Sequence, residues 1–187
     1  SNKNVRSRLM GIPTLISTAT ASGASSVDIT SGIDSTYDEY MFVLTDMNPA
    51  TDAKALTFQV NAAGASGFNE TITSNAFVAY HYEDDSQNAL AYDDANDQAQ
   101  GTAYQRITGN LANAADECAA GILYLFNPSN TTYVKHFYCR MSAMNPIDSE
   151  GDCHTSGYIN TTTAIDEISF KMVSGNFDGV IQLYGIS

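Results

Sequence analysis

The residues best suited to chemistry lie in one short stretch, Asp148-Ser149-Glu150-Gly151-Asp152-Cys153-His154. Three carboxylates at alternate positions stand beside a thiol and an imidazole. Hard oxygen ligands gathered in a loop suit calcium, so Asp148, Glu150 and Asp152 are the candidate metal ligands. Cys153 and His154 would favour zinc instead, but adjacent residues seldom reach one ion together and no partner pair has finger-like spacing. The twelve-residue calcium-loop pattern is missing, so an ordinary solvated loop competes with the metal reading. Asp93-Asp94-Ala95-Asn96-Asp97 poses the same choice.

Nucleophilic catalysis needs a serine or cysteine with a base in reach. No G-x-S-x-G elbow occurs, and Gly23-Ala24-Ser25 is a loop of small residues with no helix pattern after it. Of the three histidines, His81 lies between Tyr80 and Tyr82 and His136 lies in an apolar strand pattern. Both read as strand residues rather than bases, and the chain reads as non-enzymatic. Cys118, Cys139 and Cys153 are odd in number, widely spaced and without a C-x-x-C pair, which is no disulfide framework and points to folding in a reducing cytosol. Three sequons, beginning at Asn69, Asn130 and Asn160, read as chance matches in a chain with no recognisable secretory signal.

Eleven tyrosines and no tryptophan mark the chain for contact chemistry, since tyrosine presents an apolar ring with a polar tip. Tyr80, Tyr82, Tyr92 and Tyr104 gather in the half that carries the acidic segment from Glu83 to Thr102, and are the expected contact face. Lys3, Arg6 and Arg8 fall within eight residues that contain no acid, and read either as a docking arm for a partner or as a plain terminal tail. The rest of the chain is acidic: 21 Asp and Glu against 8 Lys and Arg give a net charge of −13. Such a field repels nucleic-acid backbones and anionic membranes, so neither is an expected partner. No apolar run is long enough for a signal peptide or a membrane helix.

The elements that must position these groups are strands. Charged residues make up only 16%, against about 25% in an average domain, and Ser, Thr, Asn and Gln supply the polar surface. Period-two alternation marks Leu56 to Val60 and Tyr133 to Met141, the latter with Lys135, Phe137, Cys139 and Met141 on one face and His136, Tyr138 and Arg140 on the other. Thr71 to Tyr82 is a strand with Phe77, Ala79 and Tyr82 as inward candidates. Glu83 to Thr102 reads as a short helix or a long loop. Ile165 to Ile186 reads as a closing hairpin whose second arm is a central strand, with Ile168, Phe170, Met172, Val180 and Leu183 as packing residues. The sum is an all-β, antiparallel, jelly-roll-like β-sandwich of roughly nine to eleven strands, with residues 1–12 as a basic arm and 13–187 as one domain.

Several stretches together resemble small virion structural proteins of tailed bacteriophages, of the marine and cyanophage type. They are Gly32-Ile-Asp-Ser-Thr-Tyr-Asp-Glu-Tyr-Met-Phe-Val43 with Asn48-Pro-Ala-Thr-Asp52, then Tyr82-Glu-Asp-Asp-Ser86, Gly121-Ile-Leu-Tyr-Leu-Phe-Asn-Pro-Ser129, and the closing run from Ser169 to Ile186. The resemblance covers about Leu15 to the end. It implies a place in the virion after synthesis in the host cytoplasm and a role in the particle rather than a reaction; no cofactor is expected, apart from calcium if the acidic loop binds it. It also implies other virion proteins as partners, with assembly as a homotrimer. Capsid decoration is the expected role. A tail or fibre component that binds a receptor or carbohydrate is the alternative.

Overall fold

The computed structural model describes residues 11–187, and the described residues contain strands and no helix. β1 (Thr14–Ala24), β2 (Val27–Ile29) and β3 (Glu39–Pro49) come first. β4 (Leu56–Ala62), β5 (Ile72–Tyr82) and two short strands, β6 (Asn88–Tyr92) and β7 (Gln98–Gly101), follow. β8 (Gln105–Arg106) leads to β9 (Ala119–Phe126), β10 (Lys135–Asn145) and β11 (Ser149–Ile159). β12 (Ile165–Met172) and β13 (Phe177–Ile186) come last. The strands form two antiparallel sheets packed as a sandwich. The larger has nine strands in the order β1-β13-β3-β9-β10-β11-β5-β6, with β7 also on β5; the smaller has four, β2-β12-β4-β8. The count exceeds expectation because Glu83 to Thr102, read as helix or loop, supplies β6 and β7 on the edge of the large sheet.

Alternation explains the strands that position the core. In β10, Lys135, Phe137, Cys139, Met141 and Ala143 are buried while His136, Tyr138, Arg140 and Ser142 are exposed, as the sequence pattern requires. Large aromatic side chains then join the layers. Phe42 of β3 meets Phe170 of β12 at 5.7 Å between ring centroids, and Phe58 of β4 meets Phe137 of β10 edge-on at 5.1 Å. Burying each such ring stabilises the fold by roughly 1.5–3 kcal/mol.

The closing segment departs from expectation in one respect. β13 is central, paired with β1 on one side and β3 on the other. β12, however, belongs to the small sheet, between β2 and β4. The two strands form an arch across the core and not a hairpin. Ile168, Phe170, Met172 and Leu183 face the core, but Val180 is only half-buried, and Ile181 takes the inward place. On β5 the inward residues are Ile72, Ala76 and Val78, so Phe77 and Ala79 point outward instead.

Two stretches that carry the resemblance meet in space. The Tyr37 ring covers Gly185, where a Cβ would come within 2.2 Å of it. Tyr37 also packs edge-on against buried Tyr40, whose hydroxyl donates to the Asp34 carbonyl at 2.9 Å. The Gly32–Tyr40 run is therefore a corner that seals the end of β13. Lys135 is fully buried; its Nζ donates to the Tyr133 and Thr161 carbonyls, and burial pulls its pKa down.

Candidate functional site

The four tyrosines expected to share a face do not. Tyr80 and Tyr82 lie on β5 and line a groove of about 420 Å3 beside the β10–β11 turn, with Val78, Pro146, Ile147 and Cys153. Tyr92 lies on β6, 61% exposed on the outer side of the large sheet, where its hydroxyl donates to Asp97 Oδ2 at 2.5 Å. Tyr104 lies over the outer side of the small sheet. Its hydroxyl donates to Ser169 Oγ at 3.1 Å, and Lys171 Nζ stands 3.8 Å from its ring centre. The basic arm, Lys3, Arg6 and Arg8, lies outside the described residues.

Two of the three carboxylates considered for a metal are bonded to other side chains. Glu150 and Asp152 belong to strand β11 and not to a loop, with Asp148 in the turn before it. Glu150 accepts from Ser142 Oγ at 2.8 Å. Asp152 is gripped by Arg140, whose Nε and Nη2 donate to Oδ1 and Oδ2 at 2.9 and 2.8 Å. These hydrogen bonds, with help from His154, hold the Asp152 carboxyl below the usual carboxylate range. Among the described residues no three His, Cys, Asp or Glu side chains gather to hold a metal ion. In the second acidic motif, Asp93 turns back on its own loop and accepts from Asn96 Nδ2 at 2.7 Å.

The outer face of the large sheet is what the topology assembles. One row runs Tyr92, Phe77, His154, Arg140, Ile122 and Val43, side by side on β6, β5, β11, β10, β9 and β3. Phe77 and His154 stack at 4.6 Å with planes 7° apart, and His154 Nε2 lies 3.3 Å from Asp152 Oδ1. Ring, imidazole, carboxylate and guanidinium thus hold one another in place. In the next row Tyr124 and Tyr138 stand directly opposite on β9 and β10, centroids 6.3 Å apart and planes 25° apart, with Phe126 beside Tyr124. Between the tyrosines and the Arg140–Asp152 pair lies a shallow groove of about 570 Å3, floored by Ala120, Gly121 and Ile122. The alternation of β10 already put His136, Tyr138 and Arg140 on one face. What it could not supply was the neighbouring strands that bring Tyr124, Phe77 and Asp152 alongside.

The thiols are sheltered. Cys139 is fully buried, and burial drives its pKa up strongly; Cys153 is pushed up to about 11 by the same cause. At pH 8 only roughly one Cys153 in a thousand would be thiolate, the form that reacts. A disulfide-exchange reagent added to the native protein is expected to label half-buried Cys118 slowly and the other two only after denaturant is added. Prompt native labelling of Cys153 would show that the tyrosine groove opens far more than its packing implies.

The arrangement defines a class: a β-sandwich whose larger sheet turns a broad aromatic and ion-paired face outward. No family model matches the chain, and no curated protein matches it.

Proposed function

We propose that this protein is a non-enzymatic structural protein of a tailed-phage particle, a capsid decoration protein that stabilises the particle through protein–protein contacts. The observation that carries this reading is the outer face of the large sheet. Phe126, Tyr138 and Arg140 stand exposed there, with Tyr124 half-buried beside them. Tyrosine, phenylalanine and arginine are the residues enriched where proteins meet, and the ones that dominate binding when their contacts are desolvated. The stretches that resemble phage virion proteins support the same reading, and Lys3, Arg6 and Arg8 supply a second tether to an acidic neighbour.

The test is decoration of particles assembled without the protein. Replacing Tyr124 and Tyr138 together by serine removes one half-buried and one exposed ring, neither of them in the core, so the melting temperature is expected to fall by no more than about 2–4 °C. Binding to particles is expected to fall below detection in a pelleting assay. Undiminished binding by the double variant overturns the assignment of this face. A tail or fibre component that binds carbohydrate is the second reading, favoured by the Tyr80 and Tyr82 groove. A glycan array separates the two, since only the second requires a saccharide ligand.

A further inference from the structure

We infer that β1 pairs with β1 of a second copy of this chain, continuing the nine-stranded sheet across a two-fold axis near Ala19. The two edges of that sheet are built differently. β1 is bonded to β13 on one side, and among the described residues no strand lies on the other. Its eleven residues, TLISTATASGA, include no charge and no proline, the usual means of blocking an open edge. β6, at the opposite edge, has five residues set between Glu83, Asp84 and Asp85 on one side and Asp93 and Asp94 on the other. The edges of the small sheet, β2 and β8, are three and two residues long.

An open edge presents backbone donors and acceptors in a row, bonded only to water, and so is a ready template for another strand. A second copy fits for two reasons. First, antiparallel pairing of a strand with itself is self-complementary by symmetry. Second, two chains of net charge −13 repel wherever their acids meet, and β1 is the long edge without them. Two β6 edges would set acids against acids. The register irregularities of β1 fall between Leu15 and Ser17 and between Ala21 and Ala24, leaving Ser17 to Ala21 as the regular stretch. Centred on Ala19, this stretch sets Thr18 opposite Thr20 of the second copy, twice, on the outer face, a favourable cross-strand pair. Ser17, Ala19 and Ala21 are small enough to let the backbones close.

The inference does not depend on the particle role, and it replaces the trimer implied by the resemblance with a dimer. Its test is the mass of the full chain in solution over a range of concentrations. The expected result is twice 20.1 kDa at high concentration. Replacing Thr18 and Thr20, both exposed, by lysine places four like charges across the axis and is expected to raise the dissociation constant about a hundredfold or more. Leu90→Lys on β6 should leave the dimer intact. Hydrogen exchange on the unaltered protein gives the same answer without a variant: those amides of 17–21 that point away from β13, every second one, should become protected as concentration rises. A wild-type monomer throughout, a trimer, a dimer that survives T18K/T20K, or exchange at 17–21 that ignores concentration would each overturn the inference.

Discussion

A chain that stops at Gly179 is expected to accumulate as insoluble material. The missing residues are most of β13, which lies between β1 and β3 and bonds to both. Without them β1 has no partner in its sheet, and β3 becomes a raw edge with buried Tyr40, Phe42 and Leu44 along its inner face. Ile181 and Leu183, each fully buried, go with the strand. Their burial alone stabilises the fold by roughly 3–6 kcal/mol, comparable to the 5–15 kcal/mol that separates a folded domain from its unfolded chain. The ladders on both sides add to that loss. A milder probe of the same strand is Ile181→Ala, expected to cost about 2–5 kcal/mol and lower the melting temperature by roughly 4–20 °C. A truncated chain that stays soluble and melts cooperatively would refute the central role given to β13.

The second large effect is expected at Gly157 on β11. A Cβ there would lie 2.4 Å from the Thr73 carbonyl oxygen, 2.9 Å from Ser74 Cα and 2.9 Å from Phe137 Cζ. Two of these neighbours are backbone, so no rotamer change relieves the clash. The third is a ring locked edge-on against Phe58 in the core. Gly157→Val must push β5 off β11 or Phe137 out of its place, at a cost of about 3 kcal/mol or more. For a chain of this length that is a fall of roughly 6–12 °C in melting temperature. β5 carries Phe77 on the outer face and Tyr80 and Tyr82 in the groove, so both candidate surfaces should be disturbed together. An unchanged melting temperature would show that the two strands are not held at this spacing.

The sequence makes some of this legible and hides the rest for physical reasons. β10 is legible because its alternation is long and its inward residues are large. The arch of β12 and β13 is not, because a hairpin and an arch make the same demands on sequence. Each needs two half-buried strands and a turn, and Ser174-Gly175-Asn176 serves either. β4 misleads in another way. Thr57 and Gln59 read as the wet face of a half-buried strand, yet both are buried, as is Asn61 after them. The protein itself supplies their partners: Gln59 Nε2 donates to the loop carbonyls of Glu70 and Ala103 at 2.9 and 3.1 Å, Thr57 Oγ1 to the Lys171 carbonyl of β12 at 2.7 Å, and Asn61 Nδ2 to Glu167 Oε2 of β12 at 2.6 Å. Polar identity recorded a need for hydrogen bonds, and a loop and the neighbouring strand met it where water was expected. The segment from Glu83 to Thr102 lacks alternation because β6 is exposed on both faces, so neither face selects apolar residues. The outer-face site was half visible, since one strand's pattern names its own residues and never its neighbours.

The Gly11 amide donates to the Ser187 carbonyl at 3.1 Å, and Thr14 faces Gly185 at the start of the β1–β13 ladder. The two ends of the described chain therefore leave the body at one point. A pull between them runs across the ladder and not along it. Its hydrogen bonds are then loaded singly, beginning at Thr14, as a zip opens, while the rungs between β3, β9 and β10 carry none of the strain. Tension on the ends would be taken up first by peeling β1, leaving the aromatic face of the large sheet in place.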